Sequence, residues 1–257
     1  MLRNLIRGVT ASARSNGPGL VSGESTAENP LLAYAENNHD GRVMLKWAHY
    51  LDVYHRYLAR FRGLSVTMIE IGVLRGGSLR MWRDYLGPQA IIVGVDIDPE
   101  CARFRESGIE IVIGDQGDRE FLRSLLVRFP APTILLDDGG HKMHEQIATF
   151  EEFYPYIQAD GVYICEDLHT SYWSDFGGGL RRNGTFIETA KSLVDRLNAH
   201  HVPGGALVPD EFTGSTDSIH FHDSMVVFEK HARTPPEKKY YWGAAAATST
   251  ASAPPRN

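Results

Sequence analysis

The sequence predicts an α/β fold, with a mostly parallel sheet and helices on both of its faces. From Thr67 onward, short runs rich in Val, Ile and Leu alternate with helix-length stretches, which is the pattern of successive β-α-β units. Each predicted strand carries an acidic residue at or near its carboxyl end, and the strands cover 66–72, 90–98, 109–115, 132–138 and 161–167. Parallel strands present their carboxyl ends at one edge of the sheet, so that edge is the predicted ligand site.

The flanking segments complete the predicted organisation. Apolar spacing in 29–62 predicts one or two amphipathic helices, packed beside the sheet or over its ligand edge. Further along, 184–201 predicts a helix and 218–231 a final strand, with a small strand near 206–208. We therefore expect a disordered segment at 1–28, a helical extension at 29–62, one catalytic domain at 63–232 and a low-complexity, disordered tail at 233–257.

The composition limits which classes of binding partner and which cellular compartment we expect. The 257 residues carry a net charge of -6 with a pI near 6.0, which disfavours nucleic acid or an anionic membrane and favours a small neutral or cationic substrate. Cys101 and Cys165 lie in apolar stretches, as reduced core thiols of a cytoplasmic protein do. The first 23 residues hold three Arg and no acid. A transit peptide has this composition, but the Gly and Pro that follow favour a flexible N-terminal segment instead.

A glycine-rich turn, EIGVLRGGS at 70–78, follows the first predicted strand. It includes Glu70, Gly72 and Ser78, and its glycines let the backbone turn tightly and approach a ligand. The turn is a weak signal by itself. Its spacing differs from GxGxxG, which disfavours a nicotinamide cofactor.

Acidic residues after the next two strands suit a nucleoside. Asp96 ends the second strand, where a carboxylate accepts hydrogen bonds from ribose hydroxyls. Asp115, with Gly114 and Gln116, ends the third strand and could reach an adenine. Because Glu70 could meet a cationic amino group, the edge as a whole predicts adenosine with an amino-acid tail.

Two acidic pairs end the fourth and fifth strands. LLDDGGH contains Asp137, Asp138 and His141, and CEDLH contains Glu166 and Asp167. Adjacent carboxylates repel, and a cation compensates for gathering them out of water. Oxygen ligands favour Mg²⁺, with Mn²⁺ or Ca²⁺ as substitutes. The alternative, that these acids cap the following helices, does not suit all four at once.

The blocks EIGVLRGGS, VGVDID, IGDQ, LLDDGGH, ICEDLHTSYW and FGGG, between about Lys46 and His201, together resemble the metal-dependent sugar O-methyltransferases that tailor macrolides. The resemblance implies a Rossmann-like, class I methyltransferase fold with a seven-stranded sheet, S-adenosylmethionine (SAM) as methyl donor, and Mg²⁺. It further implies Asp138, Glu166 and Asp167 as metal ligands, Asp137 nearer SAM, and a homo-oligomer. Larger members carry a long extra N-terminal domain, whereas this chain has about 60 residues before its first strand.

His141 is the predicted general base. It matches the family's catalytic His in the DDGGH block, and a His can take a hydroxyl proton near neutral pH. His144 is expected to be a surface or supporting residue. After the metal ligands, the loop LHTSYWSDFGGG supplies His169, Tyr172 and Trp173, which could contact a sugar ring or simply pack within the loop.

The predicted activity is Mg²⁺-dependent methylation of a sugar hydroxyl, on a glycosylated natural product or an oligosaccharide. Antibiotic tailoring and polysaccharide methylation both remain open. Vicinal hydroxyls also occur in catechols, so a catechol or phenol O-methyltransferase is an alternative. A non-catalytic SAM sensor is a further one, although the presence of His141 and all four acids argues against it.

Overall fold

The protein is described by a computed structural model of residues 29–37 and 41–241. Predictions for 1–28 and for the tail beyond 241 lie outside the described residues. The helices are α1 (Pro30–Asn37), α2 (Tyr50–Leu58), α3 (Gly77–Leu86), α4 (Arg119–Arg128), α5 (Met143–Phe153), α6 (Phe186–Leu197) and α7 (Glu211–Ser215). The strands are β1 (Thr67–Ile71), β2 (Ile91–Asp96), β3 (Ile109–Ile113), β4 (Ile134–Asp137), β5 (Val162–Cys165), β6 (Thr216–His222) and β7 (Met225–Lys230).

The strands form one seven-stranded sheet in the order β3-β2-β1-β4-β5-β7-β6. Strands β1 to β5 pair in parallel, and β7 joins antiparallel to β5 and β6. The predicted mostly parallel sheet is therefore confirmed. Strand order reverses between β1 and β4, which opens a crevice at their carboxyl ends where ligands bind in open α/β sheets.

Two predictions near the end of the chain are wrong. The single strand at 218–231 is a hairpin of β6 and β7, which turns at Asp223 and Ser224. Ser224 adopts a left-handed φ of 58° without a glycine to signal the turn. The small strand near 206–208 does not form: Gly204 and Gly205 take φ of 70° and 68° and turn the chain there.

Alternate residues of strands β1 to β5 and β7 contribute to two hydrophobic cores, one on each face of the sheet. On β1, for example, Met68 contributes to the core with α1, α2 and α3, whereas Ile69 contributes to the core with α4, α5 and α6. Helices therefore cover both faces, as predicted. Cys101 and Cys165 are buried free thiols, one in each core. Among the described residues, no helix is both long and apolar enough to cross a membrane.

The N-terminal helices share the first core with the sheet, and the chain between them runs across its ligand edge. We call residues 42–48, which form neither a helix nor a strand, the strap. The strap crosses the start of α3 so closely that a Cβ on Gly77 would lie 2.6 Å from the Val43 carbonyl oxygen. Both predicted placements of the 29–62 segment, beside the sheet and over its edge, are thus found.

Candidate active site

A cavity of about 160 Å³ lies at the carboxyl ends of β1 to β4. Five of the eight predicted cofactor residues line it: Gly72, Asp96, Gly114, Asp115 and Gln116. The other lining residues were not predicted, and they are Ile71, Val95, Ile97, Gly139, Gly140 and Glu145. The two glycines of the DDGGH block were a usable signal, since glycines allow a backbone to approach a ligand closely.

The crevice walls are fixed by backbone contacts. Gly72 has a φ of 97°, and a Cβ there would lie 2.0 Å from the Asp138 carbonyl oxygen, so only glycine fits. The Asp96 carboxylate accepts hydrogen bonds from the amides of Val73 at 2.8 Å and Leu74 at 3.2 Å. Asp96 therefore holds the glycine-rich turn in place while lining the cavity.

Gln116 links three parts of the crevice floor. Its Nε2 donates to Asp137 Oδ1 at 2.6 Å and to Thr149 Oγ1 at 3.0 Å, and its Oε1 accepts from the Gly140 amide at 2.9 Å. Asp137 is fully buried beneath the cavity and also accepts from the Tyr163 hydroxyl. Burial raises the pKa of Asp137 to about 7. Asp137 thus lies beneath the cavity and contacts it through Gln116.

Glu70 and Ser78 form a buried pair beside the cavity. Ser78 Oγ donates to Glu70 Oε2 at 3.0 Å. Glu70 Oε1 has no hydrogen-bond partner among the described residues and lies 3.6 Å from the Lys46 ammonium. Burial raises the pKa of Glu70 to about 7, against the opposing effect of Lys46. The free oxygen can accept a hydrogen bond from a cationic amino group.

Asp138, His141 and Asp167 come together at the ends of β4 and β5. One ligand atom from each lies within 4.8 Å of the others, with His141 Nε2 3.5 Å from Asp167 Oδ2 and 3.8 Å from Asp138 Oδ1. All three side chains are partly exposed. Two carboxylates and an imidazole suit a divalent cation, so the residues present fit the predicted metal.

The backbone is strained at two of these residues. His141 has a φ of 58° and Asp167 a φ of 53°, both in the left-handed region that costs a non-glycine residue about 1–2 kcal/mol. His141 Nδ1 is buried without a hydrogen-bond partner among the described residues. Strain of this kind tends to collect at functional sites, where it fixes the direction of a side chain. His144 is 69% exposed, as expected for a surface residue.

Glu166, the other predicted metal ligand, does not join this group. Its carboxylate is buried and lies 3.1 Å and 3.2 Å from Lys46 Nζ, and it accepts a hydrogen bond from the Tyr54 hydroxyl. Lys46 Nζ also lies 2.5 Å from Asp138 Oδ2. Burial lowers the pKa of Lys46, but the surrounding carboxylates outweigh it and hold that pKa well above the usual value.

Sequence reasoning missed Lys46 and Tyr54. The only available signal was one lysine in the apolar pattern LKWAHYLDVYHRYL, which looks equally like a solvated helix position.

Aromatic side chains stand beside the metal group. The His169 ring centroid is 6.1 Å from that of Trp47 and 4.6 Å from that of Trp173. These three residues, called here the aromatic wall, join the strap to the loop after β5, and Trp47 and Trp173 are 56% and 50% exposed. Tyr172, from the same loop, is also about half exposed. The wall therefore includes two of the three predicted acceptor residues and adds Trp47, which was not predicted.

Comparisons with known proteins identify the group to which the chain belongs. No protein-family model matches it. It is 36% identical over 200 residues, or 74% of its length, to the 8-demethyl-8-alpha-L-rhamnosyl tetracenomycin-C 2'-O-methyltransferase of Streptomyces olivaceus. It is 31% identical over 69% of its length to the mycinamicin VI 2''-O-methyltransferase of Micromonospora griseorubida. These alignments cover 52% and 47% of the two relatives, so the chain spans about half of their length.

Solved structures agree with the sequence relatives. The MycE methyltransferase from the mycinamycin pathway, in complex with Mg and SAH, matches 73% of this chain and 50% of its own, with a TM-score of 0.68 and 30% identity. A second crystal form gives a TM-score of 0.70 over 79% of this chain and 54% of that one. The fold is that of the class I SAM-dependent methyltransferases. Within that class, the chain belongs to the family of sugar O-methyltransferases that contains the tetracenomycin and mycinamicin enzymes.

Proposed function

We propose that the protein transfers a methyl group from SAM to a sugar hydroxyl in a Mg²⁺-dependent reaction. The observation that carries the proposal is the grouping of Asp138, His141 and Asp167 beside the nucleoside-sized cavity, at one edge of the sheet. Binding of Mg and SAH by the MycE relative supports it. Because the chain spans about half of its relatives, activity and acceptor are proposals for the chain as given.

Two sets of residues bind SAM in this proposal. Asp96 receives the ribose hydroxyls, and Asp115 and Gln116 meet the adenine. Gly72 and Gly114 let the backbone approach the ligand. The methionine amino group is assigned to the buried pair Glu70 and Ser78, because Glu70 Oε1 accepts no hydrogen bond from the described residues. Asp137 acts indirectly, by holding Gln116.

The metal is assigned to Asp138, Glu166 and Asp167, and the base to His141. A bound divalent cation makes a nearby hydroxyl more acidic and fixes its position. His141 Nε2 would take the hydroxyl proton as the oxygen bonds to the SAM methyl carbon and the methyl–sulfur bond breaks, which releases S-adenosylhomocysteine. Asp138 Oδ1 and Asp167 Oδ2 lie 3.8 Å and 3.5 Å from that nitrogen, so the proposed base stands directly beside the proposed metal ligands.

The acceptor is assigned to the aromatic wall, with Tyr172 beside it. Exposed Trp rings can stack on the apolar face of a sugar, and they hold it within reach of His141. The relatives' names point to glycosylated antibiotics, namely rhamnosyl tetracenomycin and mycinamicin VI. We propose a glycosylated natural product as the acceptor, with an oligosaccharide as the alternative.

The remaining features of the proposal concern partners and compartment. The net charge of -6 supports a small-molecule acceptor, and neither nucleic acid nor a membrane surface is proposed as a partner. Two buried free thiols support a reducing, cytoplasmic location. A homo-oligomer is proposed from the family resemblance alone.

A catechol is the second candidate acceptor, because the exposed rings of the aromatic wall would stack equally well on a phenol. A panel of glycosides and catechols, assayed for methyl transfer from labelled SAM, separates the two. We expect labelling of glycosides in the wild type and little in Trp47→Ala, with Tyr241→Ala as an exposed aromatic control remote from the wall in sequence. Labelling of catechols alone would overturn the sugar assignment. SAM binding without any transfer would favour a sensor.

A further inference from the structure

Lys46 is a cation inside the acidic cluster that the proposed mechanism does not use. Its side chain is only 4% exposed, and its ammonium reaches carboxylates from three adjacent strands. The distances are 2.5 Å to Asp138 Oδ2, 3.1 Å to Glu166 Oε1 and 3.6 Å to Glu70 Oε1. A lysine buried this completely needs opposite charges around it, and here the nearest carboxylates are those of Asp138 and Glu166.

These contacts already engage the Glu166 carboxylate, which is one of the three proposed metal ligands. Both Glu166 oxygens lie within 3.2 Å of Lys46 Nζ, and the Tyr54 hydroxyl donates to Oε1 as well. The two carboxylate oxygens of Asp138 face different neighbours. Its Oδ2 faces Lys46 and its Oδ1 faces His141. A divalent ion that binds Glu166 and Asp138 must therefore approach the ammonium directly.

Like charges at such short range repel strongly in a site screened from water. We propose that Lys46 competes with the divalent cation for the carboxylates of Asp138 and Glu166, and so acts as a positioning residue that sets the metal affinity of the site. This inference rests on the proposed metal site. It concerns only whether the Lys46 ammonium or the divalent metal ion binds those two carboxylates.

The strap connects this competition to the acceptor side. At one end of the strap, the Arg42 guanidinium bonds Glu106 at 2.9 Å and the Phe104 carbonyl oxygen at 3.3 Å. The residue after Lys46 is Trp47, whose ring contacts His169 in the aromatic wall. The lysine that competes for the two carboxylates is therefore the chain neighbour of a residue in the aromatic wall.

Metal affinity of matched lysine variants tests the competition. We expect Lys46→Met to bind Mn²⁺ at least about tenfold more tightly than the wild type, by calorimetry or by the loss of the free-ion EPR signal. Lys46→Arg keeps the charge and should bind about as weakly as the wild type. Lys191→Met is the control, since Lys191 pairs with Glu188 on the exposed side of α6. Unchanged or weaker Mn²⁺ binding by Lys46→Met overturns the inference.

A second measurement uses the wild-type chain, in case the variants do not fold. Lys46 should react slowly with an acetylating reagent, and saturating Mg²⁺ should raise its labelling severalfold by mass spectrometry, while that of Lys191 stays constant. Protection of Lys46 that persists in saturating Mg²⁺ overturns the inference and leaves the proposed activity standing. Failure of the wild type to bind either ion overturns the metal site and the inference together.

Discussion

The two halves of the site differ in how their polar groups are satisfied. On the cofactor side, Asp96 and Gln116 are tied to backbone amides and neighbouring side chains at 2.6–3.2 Å, which fixes the crevice before any ligand enters. On the metal side, His141 and Asp167 hold left-handed backbone angles, and His141 Nδ1 lacks a partner among the described residues. Apart from Glu70 Oε1, the proposed cofactor half is therefore preformed, whereas the proposed metal half combines strained backbone with closely spaced carboxylates that a bound cation would neutralise.

The largest effect is expected on the metal side, from His141→Ala. Loss of a general base lowers turnover by about 10²- to 10⁴-fold. SAM affinity should stay within a few-fold of the wild type, because the cofactor half does not depend on His141. Labelled-SAM turnover and calorimetric SAM binding measure the two effects separately. His144→Ala is the control, and equal turnover of both variants would remove His141 from the mechanism.

On the cofactor side, Gly72→Ala should distort the crevice in which the cofactor is proposed to bind. The new Cβ would lie 2.0 Å from the Asp138 carbonyl oxygen, so β1 and β4 must separate at the crevice. We expect a loss of several kcal/mol in the free energy of unfolding and little SAM binding. Gly184→Ala is the matched control. It has a similar φ of 83° but nothing within 4 Å of the added Cβ, so it should cost only about 1–2 kcal/mol. Equal losses in the two variants would mean that the clash is relieved without cost.

A smaller, pH-dependent effect is expected from Glu70, where the two halves meet beside Lys46. Burial raises its pKa from 4.5 to about 7, so the folded protein favours the neutral acid. The stability from this group is fully present below pH 4.5 and is lost as pH rises through about 7. At about 1.4 kcal/mol per pKa unit, the difference amounts to about 3 kcal/mol. Glu70→Gln should flatten the stability profile between these pH values, measured by urea unfolding. A profile as steep as that of the wild type would contradict the assignment.

The sequence predicted the parts of the molecule whose signals are local. Apolar runs gave five parallel strands, because their patterning is local. The acids at the strand ends indicated the crevice and brought Asp138 and Asp167 to one edge, but not Glu166 into the same group. The sequence did not predict the β6-β7 hairpin, because a Ser and not a Gly occupies the left-handed turn position.

The places of Lys46 and Trp47 in the site were not predicted, for a different reason. Their partners lie far along the chain, at Asp138, Glu166 and His169. The apolar spacing around them predicted a helix, whereas α2 begins only at Tyr50. Resemblance assigned Glu166 to the metal without indicating that a lysine holds the same carboxylate. Only the folded chain brings that competition into view.

The dependence of methyl transfer on free Mg²⁺ tests the central claim most directly. We expect EDTA to abolish transfer from labelled SAM to a glycoside and Mg²⁺ to restore it, with Asp167→Asn needing a higher Mg²⁺ concentration for the same rate. Full turnover in EDTA, with metal removal checked by elemental analysis, would contradict the account.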